Sequence, residues 1–255
     1  MRILVSNDDG ILSRGIHVLA ESLKEMGEVT VVAPSQERST NSHSLTLHKP
    51  LRITKMKPDH YHVNGTPADC VYLALKKIMK DALPDIVVSG INRGANLGYD
   101  VHYSGTVAAA REAAIVQIPS LALSLSTKQT DVEAMNFESA ALHAKTVVKL
   151  MLQQELPPGV FLNMNVPDRP HKEIKGIKVV RTGVRVYSHD VAEKQDPSGK
   201  SYYWLGGGYI GFKNINNTDC KVVEEGFISL TPLHVDATQH QFLEQLKTWN
   251  FESTV

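Results

Sequence analysis

Along the first two-thirds of the chain, short apolar runs alternate with longer stretches in which apolar residues recur every three or four positions. Arg2 to Ser6 (RILVS) reads as a buried strand, and Ser13 to Met26 follows with helical spacing through Ile16, Leu19, Ala20 and Leu23. Glu28 to Ala33 (EVTVVA) predicts a second strand, Pro67 to Lys80 a helix opening on proline, and Asp85 to Ser89 (DIVVS) a third buried strand. Ser104 to Val116 is alanine-rich and helical, Ser120 to Ser124 a short strand, Val132 to Gln154 a long helix, and Val160 to Asn165 a further strand. Strands that alternate with helices imply parallel βαβ units, so the pattern predicts an α/β fold whose open sheet is covered by helices on both faces.

Beyond Pro167 the pattern changes. Residues 168–230 carry glycines, aromatics and β-branched residues with no convincing helix until Ala237 to Trp249, which predicts hairpins and a closing helix. The division expected is therefore an α/β core over 1–167 and a β-rich C-terminal extension over 168–255. Gly206 to Gly208 marks a tight turn or loop tip, and the consecutive Tyr202, Tyr203 and Trp204 suit a subunit interface.

Composition narrows the function classes. The 255 residues are 42% hydrophobic and 21% charged, as in an ordinary folded protein. Lys plus Arg equals Asp plus Glu at 27 each, so no global positive field holds a nucleic-acid duplex or an anionic membrane. Any phosphate must be held locally. Cys70 and Cys220 form no C-x-x-C pair, which argues against a disulfide framework or a zinc cage. MRILVSNDDG begins on a strand rather than a secretory signal, and no apolar run approaches the roughly 20 residues of a membrane span. A cytoplasmic protein is expected.

In open α/β sheets, ligands bind beyond the carboxyl ends of the strands, and those ends are polar here. The first strand runs into Asn7, Asp8, Asp9 and Gly10, the second into Ser35 to Thr40, the third into Gly90 to Gly94. Adjacent carboxylates repel and resist desolvation unless a cation or a shared proton compensates them. Asp8 and Asp9 therefore point to a metal, with Ser39 and Asn92 as further candidates; oxygen donors favour Mg²⁺, Mn²⁺ or Ca²⁺ over zinc. Taken alone, Asp-Asp-Gly is equally well explained as a turn that caps the following helix.

Residues 89–106 (SGINRGANLGYDVHYSGT) shift that balance. A glycine-studded stretch leads into a helix opening on Ser104, Gly105 and Thr106, where free amides, the positive dipole end and two hydroxyls suit a phosphate. By itself Ser104 reads as a helix N-cap. The spacing matches neither the Walker pattern nor the dinucleotide-binding glycine pattern, which removes the main support for an NTPase or an NAD enzyme. A metal beside a phosphate site, without a cofactor fingerprint, points to metal-assisted phosphoester hydrolysis.

The segments ILVSNDDG (3–10), VVAPSQERS (31–39), GTPADCV (65–71), VVSGINRGANLGYDVHYSGTVAAAREA (87–113) and ISLTPLHVD (228–236) together resemble the SurE family of stationary-phase survival proteins. The resemblance spans nearly the whole chain. It implies a Rossmann-like three-layer α/β/α core, an extended C-terminal part that helps form a homodimer or homotetramer, and hydrolysis of nucleoside 5′- and 3′-monophosphates, in some members also of short polyphosphate. It implies one divalent cation per subunit, Mg²⁺ or Mn²⁺, and no organic cofactor. Carried residue by residue, it places metal ligation at Asp8, Asp9, Ser39 and Asn92, and Asn96, Ser104, Gly105 and Thr106 in the glycine-rich active-site loop. Asn41 and Ser42 depart from the family's pattern, which bears on base or sugar selectivity.

On this reading Asp8 or Asp9 orients the attacking water, and Asn96, Ser104, the Gly105 amide and Thr106 stabilise phosphoryl oxygens, which makes Asp8, Asp9 and Asn96 the candidate catalytic residues. An aspartyl-phosphate intermediate is the alternative route. His43, His48, His60, His62 and His102 read as loop or surface histidines; Arg93 and Arg111 could contact a phosphate, while Arg111 followed by Glu112 reads equally as a solvated helix face. Competing functions are a non-catalytic sensor of nucleotide and metal, which uses the same residues, and a metal-dependent glycosyltransferase, against which the position of the acidic pair on the first strand argues.

Overall fold

Residues 1–188 and 190–249 are described by the structure, a computed structural model. In chain order the first part runs β1 (Arg2–Ser6), α1 (Arg14–Leu23), β2 (Glu28–Pro34), β3 (Ile53–Lys57), β4 (His60–Val63), α2 (Pro67–Leu73), β5 (Ile86–Arg93), α3 (Gly105–Ile115), β6 (Ser120–Ser126), α4 (Phe137–Gln153) and β7 (Val160–Pro167). The second part adds β8 (Ile177–Val179), β9 (Arg185–Tyr187), β10 (Val191–Gln195), β11 (Ser201–Leu205), β12 (Tyr209–Phe212), α5 (Asp219–Glu224), β13 (Ile228–His234) and α6 (His240–Leu246).

Period-two alternation in β1 sends Ile3 and Val5 to one side and Leu4 to the other, and all are fully buried. On the first side they meet Ile16, Leu19 and Leu23 of α1 and Phe137, Ala144 and Val148 of α4. On the second they meet Cys70 and Val71 of α2 and Ala109 and Ala113 of α3. The result is the three-layer α/β/α arrangement. One nine-stranded sheet runs β3-β4-β2-β1-β5-β6-β7-β13-β8. β4, β2, β1, β5, β6 and β7 are mutually parallel; β13 lies antiparallel to β7, so the C-terminal part contributes strands to the same sheet. The chain leaves β1 toward β2 on one side and returns to β5 on the other, which makes the β1/β5 boundary the topological switch point where a ligand crevice forms.

The departures from the sequence reading have local causes. α4 begins at Phe137 rather than Val132 because the Arg14 guanidinium takes the carbonyls of Val132 (2.8 Å) and Glu133 (3.1 Å), and Asp168 takes the Asn136 amide (2.8 Å). β5 continues past Ser89 to Arg93, slipping register against β6 between Ser89 and Asn92. At Gly90, with φ +151, any Cβ would sit 2.4 Å from the Leu123 carbonyl oxygen, so only glycine fits there. α2 gives way to a π-turn over Ala74–Ile78. Where no helix is expected before Ala237, α5 forms over six residues, too few for periodicity to show. The closing helix α6 is shorter than expected, His240–Leu246. Among the described residues no helix is long and apolar enough to cross a membrane.

Candidate active site

The turn after β1 is built around Asn7, which is fully buried and donates to the Gly10 carbonyl (2.9 Å) and to Ser13 Oγ (2.8 Å). These bonds fold residues 8–10 across the end of the sheet. The Asp8 carbonyl accepts the Arg38 amide (2.7 Å), bringing the loop after β2 alongside, and Asp9 Oδ2 accepts the Arg93 amide (3.0 Å), joining the end of β5. Asp8 is only 5% exposed, and its Oδ1 accepts a hydrogen bond from Thr106 Oγ1 at 2.5 Å. Gly105 lies so close that a methyl group on it would fall 2.8 Å from Asp8 Cβ and 3.0 Å from Asp8 Oδ2. The first turn of α3 thus sits directly against the Asp8 carboxylate.

Electrostatics follow from that crowding. Burial pushes the Asp8 carboxyl up to about 6, the Thr106 hydrogen bond pulls back, and the neighbouring charge of Asp9 adds to the rise. Asp9 is also raised by burial, with the Arg93 amide and charge opposing and Glu37 reinforcing. Two carboxyls side by side, both disfavoured as anions, form a site whose negative charge calls for a cation.

Ser39 is exposed and donates to Glu37 Oε1 (2.7 Å). Asn92 Nδ2 donates to the Gly94 carbonyl (2.8 Å), which commits the nitrogen and leaves Oδ1 as the atom for a cation. Among the described residues no cluster of three or more His, Cys, Asp or Glu side chains assembles. A cation here would depend on the acidic pair plus neutral hydroxyl and amide oxygens. That donor set is hard and fits Mg²⁺ or Mn²⁺.

Ser104 caps α3, its Oγ accepting the Val107 amide (3.1 Å), while its O–H stays available to donate. Asn96 is 8% exposed; its Nδ2 donates to Ser124 Oγ (2.8 Å), its amide donates to Asn165 Oδ1 (2.8 Å), and its carbonyl accepts from Asn163 (2.9 Å) and Asn165 (3.1 Å). The structure therefore brings Asp8, Gly105 and Thr106 into direct contact and joins Asp9 to β5 next to Asn92. Ser39 turns to Glu37, and the Asn96 amide nitrogen bonds into the sheet.

Several supporting residues escaped sequence reasoning. Asn163 and Asn165 clamp Asn96, and their signal was visible as two asparagines at period two in an otherwise apolar strand. Asp219, fully buried, accepts the amides of Gly98 (2.8 Å), Gly183 (2.6 Å) and Cys220 (2.7 Å), tying the glycine-rich loop to the C-terminal part. Asp100 in the same loop receives both Arg185 Nη1 and the Tyr187 hydroxyl at 2.5 Å. Glu112 is not a solvated face: it is 6% exposed and pairs with His43 Nε2 at 2.7 Å. Arg111 lies over the Phe161 ring, and Arg93 faces Glu37 at 3.8 Å. His60 is no surface residue but is buried in β4, stacked on His17.

Residues 3–189 match the family model described as Survival protein SurE. The chain is 45% identical over 251 residues to the 5′-nucleotidase SurE of Geobacter metallireducens, covering 98% of each protein. It is 47% identical over 249 residues to the 5′-nucleotidase SurE of Vibrio campbellii, covering 98% of this chain and 94% of that one. The crystal structure of the SurE protein from Aquifex aeolicus superposes with a TM-score of 0.86 at 42% identity, over 97% of this chain and 98% of that one.

Proposed function

The chain belongs to the SurE family, and on that premise we propose that it is a metal-dependent phosphomonoesterase that releases inorganic phosphate from nucleoside 5′-monophosphates. The observation that carries the reading is the pair of the buried Asp8 and the half-buried Asp9 at the sheet's switch point, with the first turn of α3 packed against the Asp8 carboxylate. Nucleoside 3′-monophosphates and short polyphosphate belong to the same proposed substrate range. We place the enzyme in the cytoplasm as a homodimer or homotetramer, with the exposed Tyr202, Tyr203 and Trp204 of β11 at the subunit contact.

One divalent cation per subunit, Mg²⁺ or Mn²⁺, would be held by Asp8, Asp9, Ser39 and Asn92; when bound it supplies Lewis acidity toward a phosphoryl oxygen and acidifies water. The chain's own residues do the rest. The Gly105 amide at the α3 N-terminus and the Ser104 hydroxyl donate to phosphoryl oxygens, where preorganised donors stabilise developing charge, while the Thr106 hydroxyl that the sequence also offered for this role is committed to Asp8. Asp8 or Asp9 orients the attacking water, and Thr106 holds the Asp8 carboxylate in place. Asn96, clamped from β6 and β7, contributes a rigid contact to the phosphoryl group.

The test is phosphate release from a panel of 5′- and 3′-nucleoside monophosphates with Mg²⁺, Mn²⁺ or EDTA, comparing wild type with Asp8→Asn and Asp9→Asn. Metal-dependent release that both variants lose is the expected result. Nucleotide binding with no release under any metal would replace the hydrolase reading with a sensor.

A further inference from the structure

Residues 39–46 join the candidate ligand Ser39 to the segment before β3, and two of them, Thr40 and Ser42, hold φ values of +56 and +52. Left-handed backbone at a non-glycine residue costs on the order of 1–2 kcal/mol, so the surrounding contacts must hold this segment in place. Those contacts come from the far side of the site. The Ser42 amide donates to the Tyr103 carbonyl (3.1 Å), Thr66 Oγ1 donates to the Ser44 carbonyl (2.7 Å), and the Thr46 amide donates to Asp69 Oδ1 (2.9 Å). The one contact made by an ionisable side chain of the segment itself is His43 Nε2 to Glu112 Oε2, at 2.7 Å.

Glu112 stands seven residues after Gly105 on α3. Seven residues are two helical turns, about 10.5 Å along the axis, so both positions share one face of the helix. At the upper end of that face Gly105 touches Asp8; at the lower end Glu112, buried, receives His43. At the other end of the loop, the Arg38 amide bonds the Asp8 carbonyl. Ser39 is thus suspended between an anchor on the acidic turn and an anchor deeper on the same helix. A buried carboxylate with a charge-assisted partner is a stiff attachment, because removing the partner leaves the carboxylate unpaired.

We propose that His43 is a positioning residue: paired with Glu112, it fixes the 39–46 segment along α3 from the helix N-terminus to its C-terminal half and so holds the Ser39 backbone beside the turn that carries Asp8 and Asp9. The proposal rests on the metal-dependent reading above and deepens it.

Full-length His43→Ala and His43→Gln, beside wild type, test it through Mn²⁺ binding, read from the electron paramagnetic resonance of the free ion, and through amide hydrogen exchange. In His43→Ala, Mn²⁺ affinity falls roughly tenfold, the lower end of what outer supports of metal ligands are worth. Exchange quickens across 39–46 and stays unchanged across 105–115, and excess Mn²⁺ returns kcat toward the wild-type value. The Gln Nε2 can replace the imidazole donor, so His43→Gln recovers most of the affinity. Unchanged Mn²⁺ affinity in His43→Ala, equal losses in both variants, or faster exchange spread through 105–115 would overturn the proposal. A wild type that binds Mn²⁺ but releases no phosphate from nucleotides refutes the hydrolase reading alone, since the affinity and exchange comparisons stand without turnover; a wild type that binds no Mn²⁺ overturns both.

Discussion

Replacing Gly105 by alanine separates the demands of folding from those of the site. At an open first-turn helix position, Gly→Ala stabilises by roughly 0.4–1 kcal/mol because it restricts the unfolded chain. Here the added methyl would meet Asp8 Cβ at 2.8 Å, and Asp8 Oδ2 and Pro67 Cγ at 3.0 Å each, while the Gly105 backbone itself is in no left-handed conformation. Overpacking of this kind costs about 1–3 kcal/mol, so the net change in stability is a loss of at most a few kcal/mol. For a protein of this size each kcal/mol lowers Tm by roughly 2–4 °C, and the variant stays folded at assay temperature. The carboxylate of Asp8 has to move, however, and with it the 2.5 Å bond from Thr106. Misplacement of a catalytic group by about 1 Å can lower the rate on the order of 100-fold. The expected result is a modest drop in Tm with phosphate release from nucleoside monophosphates reduced about 100-fold. Gly208→Ala is the control, since a methyl there meets nothing within 4 Å. Wild-type turnover in Gly105→Ala would refute the argument that the α3 N-terminus and Asp8 are one packed unit.

Further outcomes follow from the supports around the site. Asn165→Leu leaves the buried Asn96 amide without its acceptor, which costs about 1–3 kcal/mol, and should lower both Tm and kcat/KM because the 94–98 segment loses its clamp; unchanged kinetics would show that Asn96 needs no support from β7. Asp219→Ala orphans the amides of Gly98, Gly183 and Cys220, at about 1–3 kcal/mol each, so it should be poorly soluble or melt far below Asp219→Asn, which keeps an acceptor oxygen. Equal melting of the two variants would count against that accounting. Burial alone would raise the Asp168 carboxyl, but hydrogen bonds from Thr127, the Asn136 amide and side chain, and Gln129 outweigh it and hold the group below its ordinary 3.8. A lowered carboxyl stabilises the fold above 3.8 and loses that contribution as pH falls through its folded value. The Tm gap between wild type and Asp168→Ala should therefore be widest near neutrality and close in acid; a gap independent of pH would contradict this.

Local pattern carried most of the architecture. Apolar periodicity over β1, α1, β2, α3, β6 and β7 is enough to predict alternating parallel strands and helices, because burial on a sheet face or helix stripe is written at fixed intervals along the chain. The polar strand ends were equally legible, and Asp8, Asp9, Gly105 and Thr106 stand out as residue types that only a ligand site explains together. What the sequence could not reveal is which distant groups meet. Gly90 to Arg93 reads as a loop, yet backbone packing against Leu123 draws it into β5. Arg14 and Asp168, far from α4 in sequence, set where that helix starts. Arg111-Glu112 looks like exposed helix until the loop after Ser39 folds down on it. Asn163, Asn165 and Asp219 become supports of the active-site loop only because β7 and α5 lie beneath it. The sequence by itself determined the layers and the residue types at the strand ends, since hydrophobic period and local chemistry are encoded by neighbours. The tertiary structure alone decided which buried carboxylates and amides find partners, because an unpaired polar group is costly wherever it is buried, and its partner comes from whatever element packing brings within hydrogen-bond reach.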